Sequence, residues 1–162
     1  MKEGWQIKRL GEVLTIERGG SPRPIEKYLT RSEEGINWVK ISDATASDKY
    51  IFTTKEKITH EGLKKTRIVC EGDFILSNSM SFGRPYILKI SGCIHDGWLL
   101  MTNFSDKLNK DYLYEILSYK DTQQQFIASA AGGVVQNLNT ERVRAIKISL
   151  PSLDIQTQIV AE

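Results

Sequence analysis

An α+β fold is predicted: a twisted, mostly antiparallel sheet with helices on one side, near residues 109–130, and a C-terminal helix that projects outwards. Three observations predict it. Short runs rich in β-branched and aromatic residues, bounded by glycine, proline or polar turns, dominate the chain up to Asn103. Beyond Asn103 the apolar period changes to that of a helix. A length of 162 residues suits one domain and suffices to bury a core.

Trp5, Ile7 and Leu10 lead through Gly11-Glu12 into Val13–Glu17, a helical turn running into a strand whose switch point the pattern does not fix. Arg18–Pro24 carries two glycines and two prolines, which force an ordered but irregular loop. Residues 25–35 are polar, a loop with a short helix. Ile36–Ser42 reads as a strand, and Tyr50–Phe52 as another after a turn at Asp43–Lys49. Lys55–Lys65 predicts a short helix ending near Gly62. Phe74–Asn78 is a buried strand after the Glu71–Asp73 turn, and Ser79–Pro85 is a second glycine-proline loop. Tyr86–Ile90 and Cys93–Met101 are expected to pair as a hairpin across Ser91-Gly92.

Tyr112, Leu113, Ile116 and Leu117 recur at helical spacing, with Asn109 or Asp111 placed to cap the first turn. A second helix, Gln123–Ala130, should turn Phe126 and Ile127 to the core and stop at Gly132-Gly133. Ile146–Leu150 alternates cleanly as a strand with one buried face, ended by Pro151. The final helix starts near Asp154 and reaches the end of the sequence uncapped after barely two turns. A helix so short is marginal alone. Residues 1–151 are therefore expected to form the domain, and 152–162 the root of a longer helix.

Composition narrows the class. Hydrophobic residues make up 40% and charged residues 26%, which excludes a disordered tail. No apolar run approaches the roughly 20 residues of a spanning helix, and the start lacks the apolar segment of a secretory signal. With only two cysteines, Cys70 and Cys93, both read as buried structural residues; the expected compartment is cytoplasmic. Twenty-two basic and 20 acidic residues leave a net charge of +2, too small to announce a polyanion binder. Charge is clustered, however: Arg18, Arg23, Lys27 and Arg31 face Glu26 alone, and Lys55, Lys57, Lys64, Lys65 and Arg67 face Glu56 and Glu61. Such clusters are ordinarily solvated faces, but polyanions respond to local charge rather than to its sum.

Catalytic chemistry is thinly represented. Two histidines, His60 and His95, exclude a multi-histidine metal site, and there is no phosphate loop, nucleophile elbow, HExxH or GxGxxG. His95-Asp96 invites an acid–base reading, but both lie inside a strand or turn between Ile94 and Trp98, where adjacent side chains point to opposite faces. No cofactor is called for, and the inventory suits a reader or scaffold.

Three spaced segments resemble the specificity subunit of type I restriction-modification enzymes. They are Trp5–Val13 followed by Gly19–Pro22; Gly72–Ser77 followed by Ser81–Arg84; and Gly132–Asn139, then Ile146–Leu153, then Gln156 and Gln158–Val160. Each is weakly specific alone; their order and spacing across the chain are more so. The resemblance implies a target-recognition domain that reads one half of a split double-stranded DNA sequence and carries no active site. It further implies docking to methyltransferase subunits that use S-adenosylmethionine, recruitment of a motor-nuclease subunit, and possible self-pairing through the terminal helix.

The residues suit a reader working through loops. Arginine reaches guanine, Asn or Gln adenine, and Ser or Thr either, while lysines and backbone NH groups hold phosphates. The loops present Ser21 and Arg23; Ser79, Ser81 and Arg84; and Gln136 and Asn137. Arg84, held between Gly83 and Pro85, is the strongest single candidate. Lys64, Lys65 and Arg67 are candidates for phosphate contact, Asn139 reads as a helix cap, and Trp5, Trp38 and Trp98 read as core. The alternative function is a protein-docking module without DNA contact, centred on the terminal helix.

Overall fold

The computed structural model describes residues 2–44, 48–79, 83–131 and 138–162. The chain begins with β1 (Gln6–Arg9), which pairs antiparallel with the last strand, β12 (Lys147–Leu150), in the register Gln6↔Leu150 to Arg9↔Lys147. One helical turn, α1 (Leu10–Val13), follows; Glu12 accepts the Arg9 N–H at 2.7 Å, and Leu10 and Val13 are buried. The helix-to-strand switch falls at Leu14, which is extended (φ −157°, ψ 167°), before β2 (Thr15–Arg18).

Twelve further described elements carry the chain to Thr102: a 3₁₀ turn (Ile25–Lys27), β3 (Leu29–Thr30), β4 (Ile36–Val39), α2 (Ile41–Ala44), β5 (Tyr50–Ile51), β6 (Glu56–Ile58), a second 3₁₀ stretch (His60–Lys65), β7 (Arg67–Val69), β8 (Phe74–Ser77), β9 (Pro85–Leu88), β10 (Gly92–Ile94) and β11 (Trp98–Thr102). The helices α3 (Lys110–Ser118), α4 (Lys120–Ala130), α5 (Thr140–Arg144) and α6 (Leu153–Ala161) complete the fold, α6 following β12. The strands are mostly antiparallel, as expected, but they divide into three sheets: the β1–β12 ribbon, a sheet ordered β3-β6-β4-β10-β7, and one ordered β2-β11-β8-β9-β5. Only the β4–β10 and β5–β9 pairs are parallel among the described strands.

Side-chain alternation explains the layering. Phe74 and Leu76 of β8, with Leu99 and Met101 of β11, join a core cluster with Leu113, Leu117 and Phe126 of the helices. Their neighbours Ile75, Trp98 and Leu100 join a second cluster with Val39, Val69 and Ile94 of the other sheet. The β8/β11 sheet is thus buried on both faces, helices on one side and the second sheet on the other. Beyond the second sheet, Trp38, Ile58 and Cys93 are covered by Ile25, Tyr28 and Leu63. Among the described residues, no helix is long and apolar enough to cross a membrane.

Several expectations are corrected. Tyr86–Ile90 and Cys93–Met101 do not form a hairpin: β9 pairs with β8 and β5, whereas β10 leaves for the other sheet and lies between β4 and β7. Gly92 permits that crossing, since a Cβ there would stand 2.4 Å from the Asn37 carbonyl oxygen. The Lys55–Lys65 helix is instead β6 and the second 3₁₀ stretch, which runs through Gly62. The second helix begins at Lys120, and Thr122, Phe126 and Ala130, spaced by four, form its buried stripe; Ile127 is left 60% exposed. Cys70 is exposed, not buried; Cys93 is buried, and burial pushes its thiol up to about 12.

Asn109 caps α3, accepting from the Asp111 and Tyr112 N–H groups at 2.8 and 3.2 Å. Wholly buried Gln156 ties α6 to this same corner. It accepts the Asn109 N–H at 2.8 Å, and its amide donates to the carbonyls of Lys107 and Pro151, both at 2.8 Å. The rest of α6 does not project as expected: it lies against α3, with half-buried Ile159 and Val160 packed on the main core and its other face exposed. Gln156→Ala should therefore lower stability by about 1–3 kcal/mol, because three backbone groups lose their partner; an unchanged denaturant midpoint would refute this.

His95 follows β10, its ring beside Trp38 and Trp98 at centroid distances of 5.9 and 6.3 Å. Burial pushes its pKa below the ordinary value, aided by Lys40 and opposed by Asp96 and Asp43. Below about pH 6.5 the unfolded chain takes up a proton that folded His95 resists, so stability falls as the solution is acidified. His95→Asn should lose less stability than the parent between about pH 7 and pH 5, as read from urea midpoints; equal losses would exclude His95 as a source.

Candidate nucleic-acid interface

The first loop, residues 19–24, is pressed onto the turn that joins β10 to β11. Gly19 N–H donates to the Trp98 carbonyl at 2.9 Å and Gly20 N–H to that of Ile94 at 3.2 Å. A Cβ on Gly19 would stand 2.0 Å from the His95 carbonyl oxygen, and one on Gly20 2.7 Å from that of Lys65, so only glycine allows this approach. The Ser21 hydroxyl donates to Asp96 Oδ1 at 2.8 Å and accepts the Asp96 N–H at 3.3 Å. Arg23, its side chain 77% exposed, pairs with Asp96 Oδ2 at 3.2 Å. Arg18 Nε donates to the Asp96 carbonyl at 3.0 Å.

Of the strand or turn expected around His95 and Asp96, the structure has the turn, which brings the two side chains to the same side. β10 ends at Ile94, both residues occupy the turn, and His95 Nδ1 lies 3.7 Å from Asp96 Oδ1. That imidazole nitrogen accepts the Gly97 N–H at 2.7 Å, which engages it within the turn. Burial alone would raise the Asp96 pKa, yet the Ser21 hydroxyl and the charges of His95 and Arg23 hold it below the ordinary value.

The second loop starts at Asn78, which is wholly buried. Its N–H donates to the Gly97 carbonyl at 3.0 Å and its Nδ2 to the Asp96 carbonyl at 2.9 Å. The loop is closed at its base: Gly83 N–H donates to the Ser77 carbonyl at 2.7 Å, and Arg84 N–H to Ser77 Oγ at 3.0 Å. Gly83 has φ +79° and abuts the Phe126 ring, so the turn favours glycine twice over. Ser79 is half-buried; Arg84 is exposed, opens into a groove of about 480 Å³ shared with Tyr86, Tyr114 and Gln123, and has no ion pair among the described residues. Ser81 lies outside the described residues.

The third loop returns to the same place. Leu138 N–H donates to the Asn78 carbonyl at 2.8 Å, and Asn139 caps α5 by accepting the Arg142 N–H at 2.8 Å, as its sequence context predicts. Gln136, Asn137 and the Gly132-Gly133 stop lie outside the described residues.

The basic segment borders the first loop. Lys64 is exposed; Lys65 Nζ donates to the Tyr28 hydroxyl at 3.1 Å and sits 5.3 Å over its ring. The Arg67 guanidinium is engaged by Glu17 and by the Arg18 carbonyl. Ser21, Arg23, Lys65 and Arg67 are thus gathered around one turn, and beside them lies a largely apolar cavity of about 850 Å³ that reaches Pro22, Trp38 and Lys40. Arg84 shares only the base of this arrangement, since its side chain faces the other groove. Among the described residues, no group of three or more His, Cys, Asp or Glu could hold a metal ion. Sequence reasoning missed Asn78 and Asp96 as the joint between the loops. The available signal was the polar pair Ser77-Asn78 directly after the apolar run Phe74–Leu76.

Comparison with known proteins now places the chain. Three solved structures share its fold. A chain from the structure describing complex assembly and conformational transition of the type I R-M system superposes with a TM-score of 0.79 at 22% identity, over 99% of this chain and 37% of its own length. The HsdS subunit from Thermoanaerobacter tengcongensis gives 0.73 at 22% identity over 99% and 36%. The type I restriction-modification S subunit from M. genitalium gives 0.63 at 15% identity over 97% and 37%. The chain therefore spans little more than a third of the length of these proteins. The model of the type I restriction modification DNA specificity domain matches residues 2–161, and the chain belongs to that family.

Proposed function

We propose that this chain reads base sequence in double-stranded DNA, one half of a split target, for a complex whose chemistry is performed by other subunits. Residues 1–151 form the reader in this proposal and 152–162 the root of a helix. Separate methyltransferase subunits bind S-adenosylmethionine, a motor-nuclease subunit joins through the complex, and a second copy can pair through α6. The chain itself holds no cofactor and is not an enzyme.

The observation that carries the reading is the joining of three loops by the Asn78 backbone and the Asp96 turn. A rigid common base lets loops from distant parts of the sequence meet one DNA segment in fixed register. Arg84, with Ser79 and Ser81, reads base edges from the second loop; Ser21 and Arg23 serve from the first, and Gln136 and Asn137 from the third. Lys64, Lys65 and Arg67 hold phosphates. Lys64 is foremost among them, because Arg67 must exchange Glu17 for a phosphate. One observation favours the alternative, a docking module: Ile7 and Tyr119 are 50% and 51% exposed around one shallow groove.

Arg84→Ala should cost about 1–3 kcal/mol of specific binding and relax preference at one base pair. Lys64→Ala should weaken all sequences alike and reduce the salt slope by about one. Selection from randomised duplexes, followed by titration across salt concentrations, separates the two. Binding indifferent to sequence, or both variants behaving alike, would overturn the reading; no salt-sensitive affinity for random duplex at low salt would favour docking.

A further inference from the structure

A carboxylate beside a phosphate-binding face is a liability, because it repels the polyanion and weakens every complex. Asp96 occupies that position, and Asp96 is held on every side. Its carboxylate takes both Ser21 and Arg23 of the first loop, and its carbonyl takes Arg18, before that loop, and Asn78, which opens the second. Its carboxyl is held below the ordinary range, so it is charged at neutral pH. The pairing with Arg23 has a chemical consequence. A guanidinium engaged by a carboxylate gains little by moving to one phosphate. Only at the right sequence, where a base edge accepts two parallel hydrogen bonds and the other loop contacts form with it, is the lost ion pair offset. Discrimination is a difference of affinities, and a built-in competitor that suppresses the wrong complexes enlarges it.

We infer that Asp96 is a specificity-determining positioning residue: it fixes the first loop against the base of the second and competes with phosphate for Arg23, so that Arg23 engages DNA only where a base edge displaces the carboxylate. This rests on the DNA-reading function proposed above. It goes beyond that function by assigning sequence discrimination to an acidic residue that contacts no DNA in the productive complex.

The test is Asp96→Asn in the full chain, compared with Glu26→Gln. Glu26 is an exposed residue of the 3₁₀ turn just after the first loop, so the control removes the same charge without cutting these bonds. Affinity for a random duplex and preference for the selected sequence over random duplex are measured for both. Asp96→Asn should bind random duplex about threefold more tightly and lose about tenfold or more in preference, the scale of one base contact; Glu26→Gln should keep its preference. A merely structural role would lower thermal stability and both affinities together. If Asp96→Asn does not fold, Asp96→Ser, which keeps a short hydrogen-bonding side chain but removes the charge, should show the same loss of preference. Preference unchanged in the variant that folds, or lost equally in Glu26→Gln, overturns the inference alone. A parent protein with no preference overturns the DNA-reading proposal and this inference with it.

Discussion

Burial on both faces is the constraint from which the functional surface follows. Every residue of β8 is buried, as are Trp98 to Met101 of β11, because helices cover one side of their sheet and a second sheet the other. No side chain within such strands reaches water, and a polar one would need a partner inside. Trp98 illustrates the point: its indole N–H donates to the Val39 carbonyl at 3.2 Å, between the sheets. Groups that recognise anything are thereby confined to the segments just past the strand ends. Asn78 follows β8, Asp96 precedes β11, and Arg84 precedes β9. The layers build the loops' foundation, and the loops inherit their spacing from the ladder of strands beneath.

The small net charge has a structural counterpart. Several cations near the first loop are already engaged by protein groups: Arg23 by Asp96, Arg67 by Glu17, Lys65 by a tyrosine ring and hydroxyl. Exposed pairs of this kind contribute little to stability, but they orient long side chains that would otherwise sample many rotamers. A surface of oriented, partly neutralised cations attracts polyanions weakly and selectively, unlike a bare basic patch.

Local chemistry was legible in the sequence, and partner choice was not. The Asn109 cap, the alternation of Ile148 and Leu150, the α3 stripe and the glycine-rich first loop are set by neighbours in the chain, so spacing reveals them. Which strand pairs with which is decided by distant segments. The apolar runs on either side of Ser91-Gly92 suit a hairpin equally well, and the close contact with Asn37 that rules it out is visible only in three dimensions. Phe126 and Ile127 are adjacent, and one residue of helix rotation, which the sequence pattern does not settle, decides which faces inwards. At the candidate site, the charged types are readable from the sequence, but the bonds that Asp96 makes to Ser21 and Arg23 bridge more than seventy positions.

The pairing of β1 with β12 carries a kinetic cost. These strands stand about 140 residues apart, so their ladder closes nearly the whole chain into one loop, and the entropy of that closure must be met before the contacts reward it. Both large sheets likewise rely on pairings distant in sequence, such as β2 with β11. High contact order of this kind belongs with folding in milliseconds to seconds rather than microseconds. During synthesis Gln6–Arg9 has no partner for this ladder until Lys147–Leu150 has left the ribosome.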